Sequence, residues 1–299
     1  MTDPTAGVPG HVWVDGRLEP AGAKHLSAFD RGFELGDAVF ETIRAHAGQP
    51  VELAAHLDRL RASAARMEIG LPSDLDEVLA AAIASLLAAE GLDGAGRAAA
   101  VRVTLSRGAP FGRSLAPDAA LPPTVVVQAW SAPPPSPELL ARGLRLVVSS
   151  VRHDPRSPLA GVKSTSRADH VYARLEAAHA GADDALLLTG DGHLAEATTA
   201  TLFLVRGDRL ATPSLASGIL AGTTREWTLA WAGASGLRTV EGWLTQDDLL
   251  DADEAFLGSS VAGILPVTHL GDRAIGSGRP GPWTMRARAA REAFVAGEG

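Results

Sequence analysis

Apolar and polar positions change their spacing several times along the chain, and each change marks an element. His11-Val12-Trp13-Val14 followed by Asp15-Gly16 predicts a strand entering a turn. After the glycine-punctuated segment Asp30-Arg31-Gly32-Phe33-Glu34-Leu35-Gly36-Asp37, residues 38–45 predict a second strand. The period then lengthens. Leu53, Leu57, Leu60 and Ala64 share one face at helical spacing, which predicts a helix over residues 51–67. Ser73 stands where it would cap a second helix running to about Glu90. Strands are expected over 101–105 and 124–130. Residues 131–137 read Ser131-Ala132-Pro133-Pro134-Pro135-Ser136-Pro137, and so many prolines cannot continue a helix or a sheet. They are the expected linker between a small domain of residues 1–130 and a larger one of 138–299. In the larger domain the pattern predicts strands over 144–151, 185–188, 201–205 and 209–212, and helices over 166–180, 223–233 and 283–296. No internal repeat occurs, and the class expected is α+β.

Composition narrows the partners. The 299 residues are 46% hydrophobic, enough for a substantial core, and the formal net charge of -8 argues against nucleic acid or an anionic membrane. Without cysteine there is no disulfide, thiolate metal site or cysteine nucleophile. The first residues lack the basic segment and apolar run of a secretory signal, and the alanine- and leucine-rich run over 78–89 is too short to span a bilayer. A soluble, cytoplasmic protein is expected. Lysine usage says more. Lys24 and Lys163 are the chain's only lysines, and arginine supplies the rest of its 27 basic residues. A lysine kept in such a chain invites the chemistry that only an amine performs.

Several motifs fail on context. Gly94-Ala95-Gly96-Arg97-Ala98-Ala99 follows a helix and precedes a strand, the reverse of a dinucleotide-binding turn. Gly161-Val162-Lys163-Ser164 lacks the glycine that directly precedes a P-loop lysine, and the nine histidines show no metal-ligand spacing, so no metal is expected. Five features stay open. Lys163 lies among small residues before a helix, as a surface lysine or a reactive one. Glu196 stands in Ala195-Glu196-Ala197-Thr198-Thr199 before an apolar strand, as a loop carboxylate or a functional acid. Gly222-Thr223-Thr224-Arg225 opens a helix, through ordinary threonine capping or as an anion site. Leu257-Gly258-Ser259-Ser260-Val261-Ala262-Gly263 reads as a hydroxyl-rich turn able to cradle phosphate. Arg59 serves either a helix-surface ion pair or the fork geometry that matches phosphate.

Taken together these segments resemble a known family. Asp30-Arg31-Gly32-Phe33, Gly36-Asp37, Phe40-Glu41-Thr42-Ile43-Arg44 and His56-Leu57-Asp58-Arg59-Leu60 with Ser63-Ala64 are similar to the N-terminal signature of fold-type-IV enzymes of pyridoxal 5′-phosphate (PLP). Leu159-Ala160-Gly161-Val162-Lys163, Glu196 with Leu202-Phe203, Gly222-Thr223-Thr224-Arg225, Asp253-Glu254-Ala255-Phe256 and Ile264-Leu265-Pro266-Val267 follow in matching order over roughly residues 10 to 295. The resemblance is to the class-IV aminotransferases. It implies a small α/β domain, a larger domain with a barrel-like sheet, a homodimer, and PLP as cofactor. It implies that Lys163 forms the Schiff base and shuttles the proton, and that Glu196 pairs with the pyridine nitrogen. Arg59, Thr223, Thr224 and Ser260 would hold the phosphate, with Ser259 a weaker member.

The family includes branched-chain and D-amino-acid aminotransferases, (R)-amine transaminases and 4-amino-4-deoxychorismate lyase. Branched-chain enzymes resemble one another in tyrosines that align with Leu35 and Ala168, and this chain's single tyrosine is Tyr172. Many D-amino-acid enzymes have an arginine-x-histidine pair in a small-domain loop and a tyrosine aligned with Phe40. The loop here, residues 106–114, holds Arg107 and Arg113 without histidine, and is also similar to the lyases. The substrate pocket is therefore expected to involve Arg113 or Arg107, Phe40 and Leu35. The activity expected is transfer of an amino group between a D-amino acid or (R)-amine and a 2-oxo acid. The alternative is pyruvate elimination by the lyase, and a non-catalytic scaffold is a third, which would show no coenzyme band.

Overall fold

Apolar side chains on one face of a six-stranded sheet build the first core. A computed structural model describes residues 10–110, 114–117 and 121–298. The chain divides into two compact units, the first made of Met1–Pro134 with Val162–Ser166 and the second of Pro135–Gly161 with Arg167–Gly299. In the first unit the described elements are β1 (His11–Val14), β2 (Arg17–Pro20), α1 (Arg31–Leu35), β3 (Ala38–His46), β4 (Gln49–Pro50), α2 (Leu53–Arg66), α3 (Leu75–Ala89), β5 (Ala98–Ser106) and β6 (Thr124–Ser131). The strands form one sheet in the order β2-β1-β6-β5-β3-β4. Val39, Ile43 and Ala45 of β3, Val101, Val103 and Leu105 of β5 and Val127 of β6 share a core with Leu57 and Leu60 of α2 and Leu79, Ile83 and Leu86 of α3. Since side chains alternate across a sheet, Phe40, Arg102 and Thr104 come from its other face. The cap of α3 differs from expectation. Asp74 takes the N-cap position without a side-chain bond, and the helix starts later than Ser73 would set it.

The second unit contains α4 (Pro137–Arg142), β7 (Leu144–His153), α5 (Ala168–His179), β8 (Asp184–Thr189), β9 (Leu194–Ala197), β10 (Thr201–Arg206), β11 (Arg209–Pro213), α6 (Thr223–Ala234), β12 (Arg238–Gly242), α7 (Gln246–Leu250), β13 (Glu254–Ser259), β14 (Gly263–Leu270), β15 (Arg273–Ala274) and α8 (Pro282–Ala296). Its sheet runs β12-β11-β10-β13-β14-β7-β8-β9, with β15 added on β14, and curls into a half-barrel. Of the pair β13–β14 only a turn over residues 257–263 was expected, and the turn at 260–262 joins the two strands. The pair is a hairpin whose strands are buried almost throughout, so they lack the alternation that marks a half-exposed strand. Pro137 opens α4 rather than interrupting it. The first turn has no use for the missing N–H, and Ser136 Oγ accepts a bond from Leu139 N–H. No helix among the described residues is long and apolar enough to cross a membrane.

Candidate active site

In the first unit everything centres on how Lys163 is held. The segment Val162–Ser166 lies against β3. Phe40 N–H donates to Lys163 O at 2.9 Å and Thr165 N–H donates to Ala38 O at 2.9 Å, with Val39 and Ser164 forming an antiparallel bridge. Ser63 Oγ, on α2, accepts a bond from Lys163 N–H at 3.3 Å. Gly36 ends α1 with φ 66°, and Ser166 Oγ donates to its carbonyl at 3.1 Å. A Cβ on Gly36 would stand 2.7 Å from that hydroxyl, so both the conformation and the close approach require glycine. The lysine backbone is thus pinned on both sides. Its Nζ lies 4.7 Å from the centroid of the Phe40 ring, and the guanidinium carbon of Arg102 lies 3.8 Å from the same centroid. Arg102 was not among the residues expected from the sequence. Its signal is a polar residue on the otherwise apolar strand β5.

Arg59, expected in a helix-surface ion pair or a phosphate fork, belongs to a buried cluster. Its Nε and Nη2 donate to Glu41 Oε1 and Oε2, each at 2.7 Å, and His56 Nδ1 lies 2.7 Å from Glu41 Oε2. The side chain of Glu41 is 0% exposed. Burial would raise its carboxyl, but Arg59 and then His56 outweigh that and hold it at about 2. The sequence hid Glu41 because an acid on an apolar strand has no visible partner.

Arg107, expected as a substrate contact, is held by Asp37 and by two backbone carbonyls of the first unit. Its Nε and Nη2 donate to Asp37, Nη2 also to Met67 O and Nη1 to Glu68 O, at 2.6 to 3.1 Å. Arg31 Nε donates to Asp37 as well. Burial raises the Asp37 carboxyl, and the two guanidinium groups, Arg107 first, pull it below its ordinary value. Arg107 therefore braces the glycine-punctuated segment. Arg113 lies outside the described residues. Leu35, at the end of α1, is exposed.

In the second unit Glu196 projects from β9. Its Oε1 lies 3.9 Å from His170 Nε2, and Leu220 N–H donates to Oε2 at 3.4 Å. Burial raises the carboxyl, and His170, His153 and Arg167 together bring it below its ordinary value. A second cluster forms where α6 begins. Gly222 takes the N-cap position of α6 and has no side chain to cap the helix. Thr223 Oγ1 lies 3.4 Å from Ser260 Oγ in the β13–β14 turn. Thr224 Oγ1 is buried and has no hydrogen-bond partner among the described residues. Ser259 lines a cavity of about 150 Å³ with Arg174, Asp184 and Thr199.

Known proteins are similar to this chain in sequence and fold. The family model described as amino-transferase class IV matches residues 38–270. The chain belongs to the class-IV aminotransferase family. It is 33% identical to a putative branched-chain-amino-acid aminotransferase of Methanocaldococcus jannaschii, covering 92% of this chain and 93% of that one. It is 31% identical to the aminodeoxychorismate lyase of Vibrio harveyi (86% and 90% covered) and 30% identical to the D-alanine aminotransferase of Bacillus licheniformis (96% and 98%). Among solved structures, a T.th. branched-chain amino acid aminotransferase with pyridoxamine 5′-phosphate superposes with a TM-score of 0.89 at 30% identity, covering 97% of this chain and 95% of that one. The fold is thus that of the fold-type-IV enzymes, and this class-IV aminotransferase is an enzyme that works with PLP. The residues present fit that group. A buried hydroxyl at Thr224 without a hydrogen-bond partner among the described residues, at the start of α6, suits a phosphate. A carboxyl held ionised at Glu196 suits a protonated ring nitrogen.

Proposed function

We propose that this class-IV aminotransferase moves an amino group between a D-amino acid or (R)-amine and a 2-oxo acid such as 2-oxoglutarate or pyruvate. The observation that carries the reading is the Phe40 ring, contacted by the Lys163 amine at 4.7 Å and the Arg102 guanidinium at 3.8 Å. An amine for covalent and proton-transfer work thus shares a ring with a cation able to take a substrate carboxylate. PLP, when bound, supplies an aldehyde that condenses with amines and a ring that accepts electrons. Lys163 would hold it covalently and, once its amine is displaced by the substrate's, would carry the proton from the substrate Cα. Glu196 would pair with the pyridine nitrogen and favour its protonated form. Arg59, Thr223, Thr224 and Ser260 hold the phosphate, with Glu41 and His56 fixing the Arg59 fork. Arg102 takes the substrate carboxylate, and Arg113, which the sequence alone supports, is a second candidate.

The lack of tyrosine at Leu35 and Ala168 supports this substrate class over branched-chain L-amino acids. The 31% identity to an aminodeoxychorismate lyase favours a second reading, elimination of pyruvate by the same lysine. One panel separates them. Single half-reactions with D- and L-amino acids, (R)-amines and aminodeoxychorismate are followed by the coenzyme spectrum. Conversion by D-alanine or an (R)-amine supports the first reading. Reaction with L-leucine alone overturns it, and pyruvate release from aminodeoxychorismate alone establishes the second. We further propose a homodimer. Support comes from the exposed Leu26, Phe29 and Phe33 of the first unit and, separately, from Val171, Tyr172 and Leu175 on α5, apolar surfaces of a kind that partners cover.

A further inference from the structure

Glu196 is not held by backbone alone. A buried carboxylate needs cations or donors around it. The titratable and charged groups facing it in the second unit are His170 in the first turn of α5, Arg167 just before that helix, and His153 at the end of β7. Arg167 already donates to Thr198 O. His153 is packed beneath the loop that carries Leu220. Gly218 in that loop has φ 83°, and a Cβ there would stand 2.8 Å from Pro155 Cα and 2.9 Å from His153 Nε2. That leaves His170. Its side chain is 17% exposed, and both ring nitrogens are buried without a hydrogen-bond partner among the described residues. Buried imidazole nitrogens are normally satisfied, so an imidazole left unmatched beside a carboxylate is best explained by that carboxylate. The 3.9 Å from Nε2 to Glu196 Oε1 is ion-pair range, beyond direct hydrogen-bond length.

We propose that His170 is a positioning residue for Glu196, acting on that carboxylate's charge and orientation from the first turn of α5. Leu220 N–H holds Oε2 and His170 stands at Oε1, so the carboxylate is fixed at both oxygens. Its charge follows from the same arrangement. Burial opposes ionisation, and His170 is the foremost of the groups that reverse it. Without His170 the balance tips toward burial, and the carboxyl takes up its proton at higher pH. The inference rests on the reading that Glu196 faces the coenzyme ring, where only the ionised carboxylate is useful.

The test is PLP binding by the cofactor-free protein, titrated by absorbance and tryptophan fluorescence across pH 5 to 9 (roughly the range over which buried carboxyls and histidines titrate). The proteins compared are wild type, His170→Asn, His170→Gln, Glu196→Gln and the double variant His170→Asn/Glu196→Gln. We expect His170→Asn to weaken PLP binding by about 10-fold or more at the acid end, with its decline beginning at higher pH than in wild type. His170→Gln should follow it, which guards against one variant that folds poorly. In the Glu196→Gln background the His170 substitution should change nothing. A pH profile identical in wild type and both His170 variants overturns the inference, and so does an equal, pH-independent loss in the Glu196→Gln background, the mark of a purely structural role. A wild-type protein that takes up no PLP overturns the coenzyme reading and this inference with it.

Discussion

Glu41→Gln removes the charge at the centre of the Arg59 cluster while keeping size and shape. In the folded protein the Glu41 carboxyl sits at about 2 against an ordinary 4.5, and a difference of that size corresponds to stabilisation on the order of 3 kcal/mol. Its side chain is 0% exposed, so solvent does little to screen the pair. A similar figure, roughly 3 to 5 kcal/mol, is expected for leaving a buried cation without its partner. The direction with pH is fixed. A carboxyl whose folded value is depressed contributes fully above its unfolded value, and the contribution is lost as pH falls from 4.5 toward 2. Wild type should therefore exceed Glu41→Gln most at neutral pH, and the gap should narrow in acid. Urea unfolding of the cofactor-free proteins, followed by circular dichroism from about pH 7 down to about pH 3, measures it. If the two proteins lose stability in parallel over that range, or differ by less than about 1 kcal/mol at neutral pH, the carboxylate is not what holds Arg59.

Lys163→Ala should lose both the visible coenzyme band and turnover while Lys24→Arg keeps them, and an unchanged band would refute the assignment of Lys163. Thr224→Val should leave the cofactor-free protein as stable or more so, because a buried unmatched hydroxyl is replaced by a methyl of similar shape. It should still bind PLP about 10-fold more weakly, and wild-type affinity would mean that this hydroxyl meets no phosphate. Arg102→Ala should raise KM for amino acids by roughly 10-fold or more and spare an (R)-amine without a carboxylate. Equal losses for both substrates would make Arg102 a pocket-shaping residue, and the same comparison for Arg113→Ala decides between the two arginines. Light scattering at assay concentration should give a dimer, and a fully active monomer would contradict the proposed homodimer.

Short-range order was open to view in the amino-acid pattern. The helical stripe of Leu53, Leu57 and Leu60 and the alternation in β3, β5 and β6 each come from neighbours a few residues apart, whose burial depends on one face of one element. Rarity marked Lys163, and the small and hydroxyl residues of Gly222-Thr223-Thr224 marked an anion site, because residue type alone limits the chemistry. The strands β13 and β14 were missed because the small and hydroxyl residues over 257–263, where the two meet, read as a turn alone. What tertiary structure decided is which distant side chains meet. Only folding shows that the segment around Lys163 is stitched to β3, that Arg107 braces Asp37, and that His170 stands beside Glu196. Glu41 is the clearest case. In the sequence it is an acid on an apolar strand, and nothing local says whether it is solvated or buried. Its charge is tolerable inside only because α2 brings His56 and Arg59 to it, and a contact between elements leaves no trace in the periodicity of either.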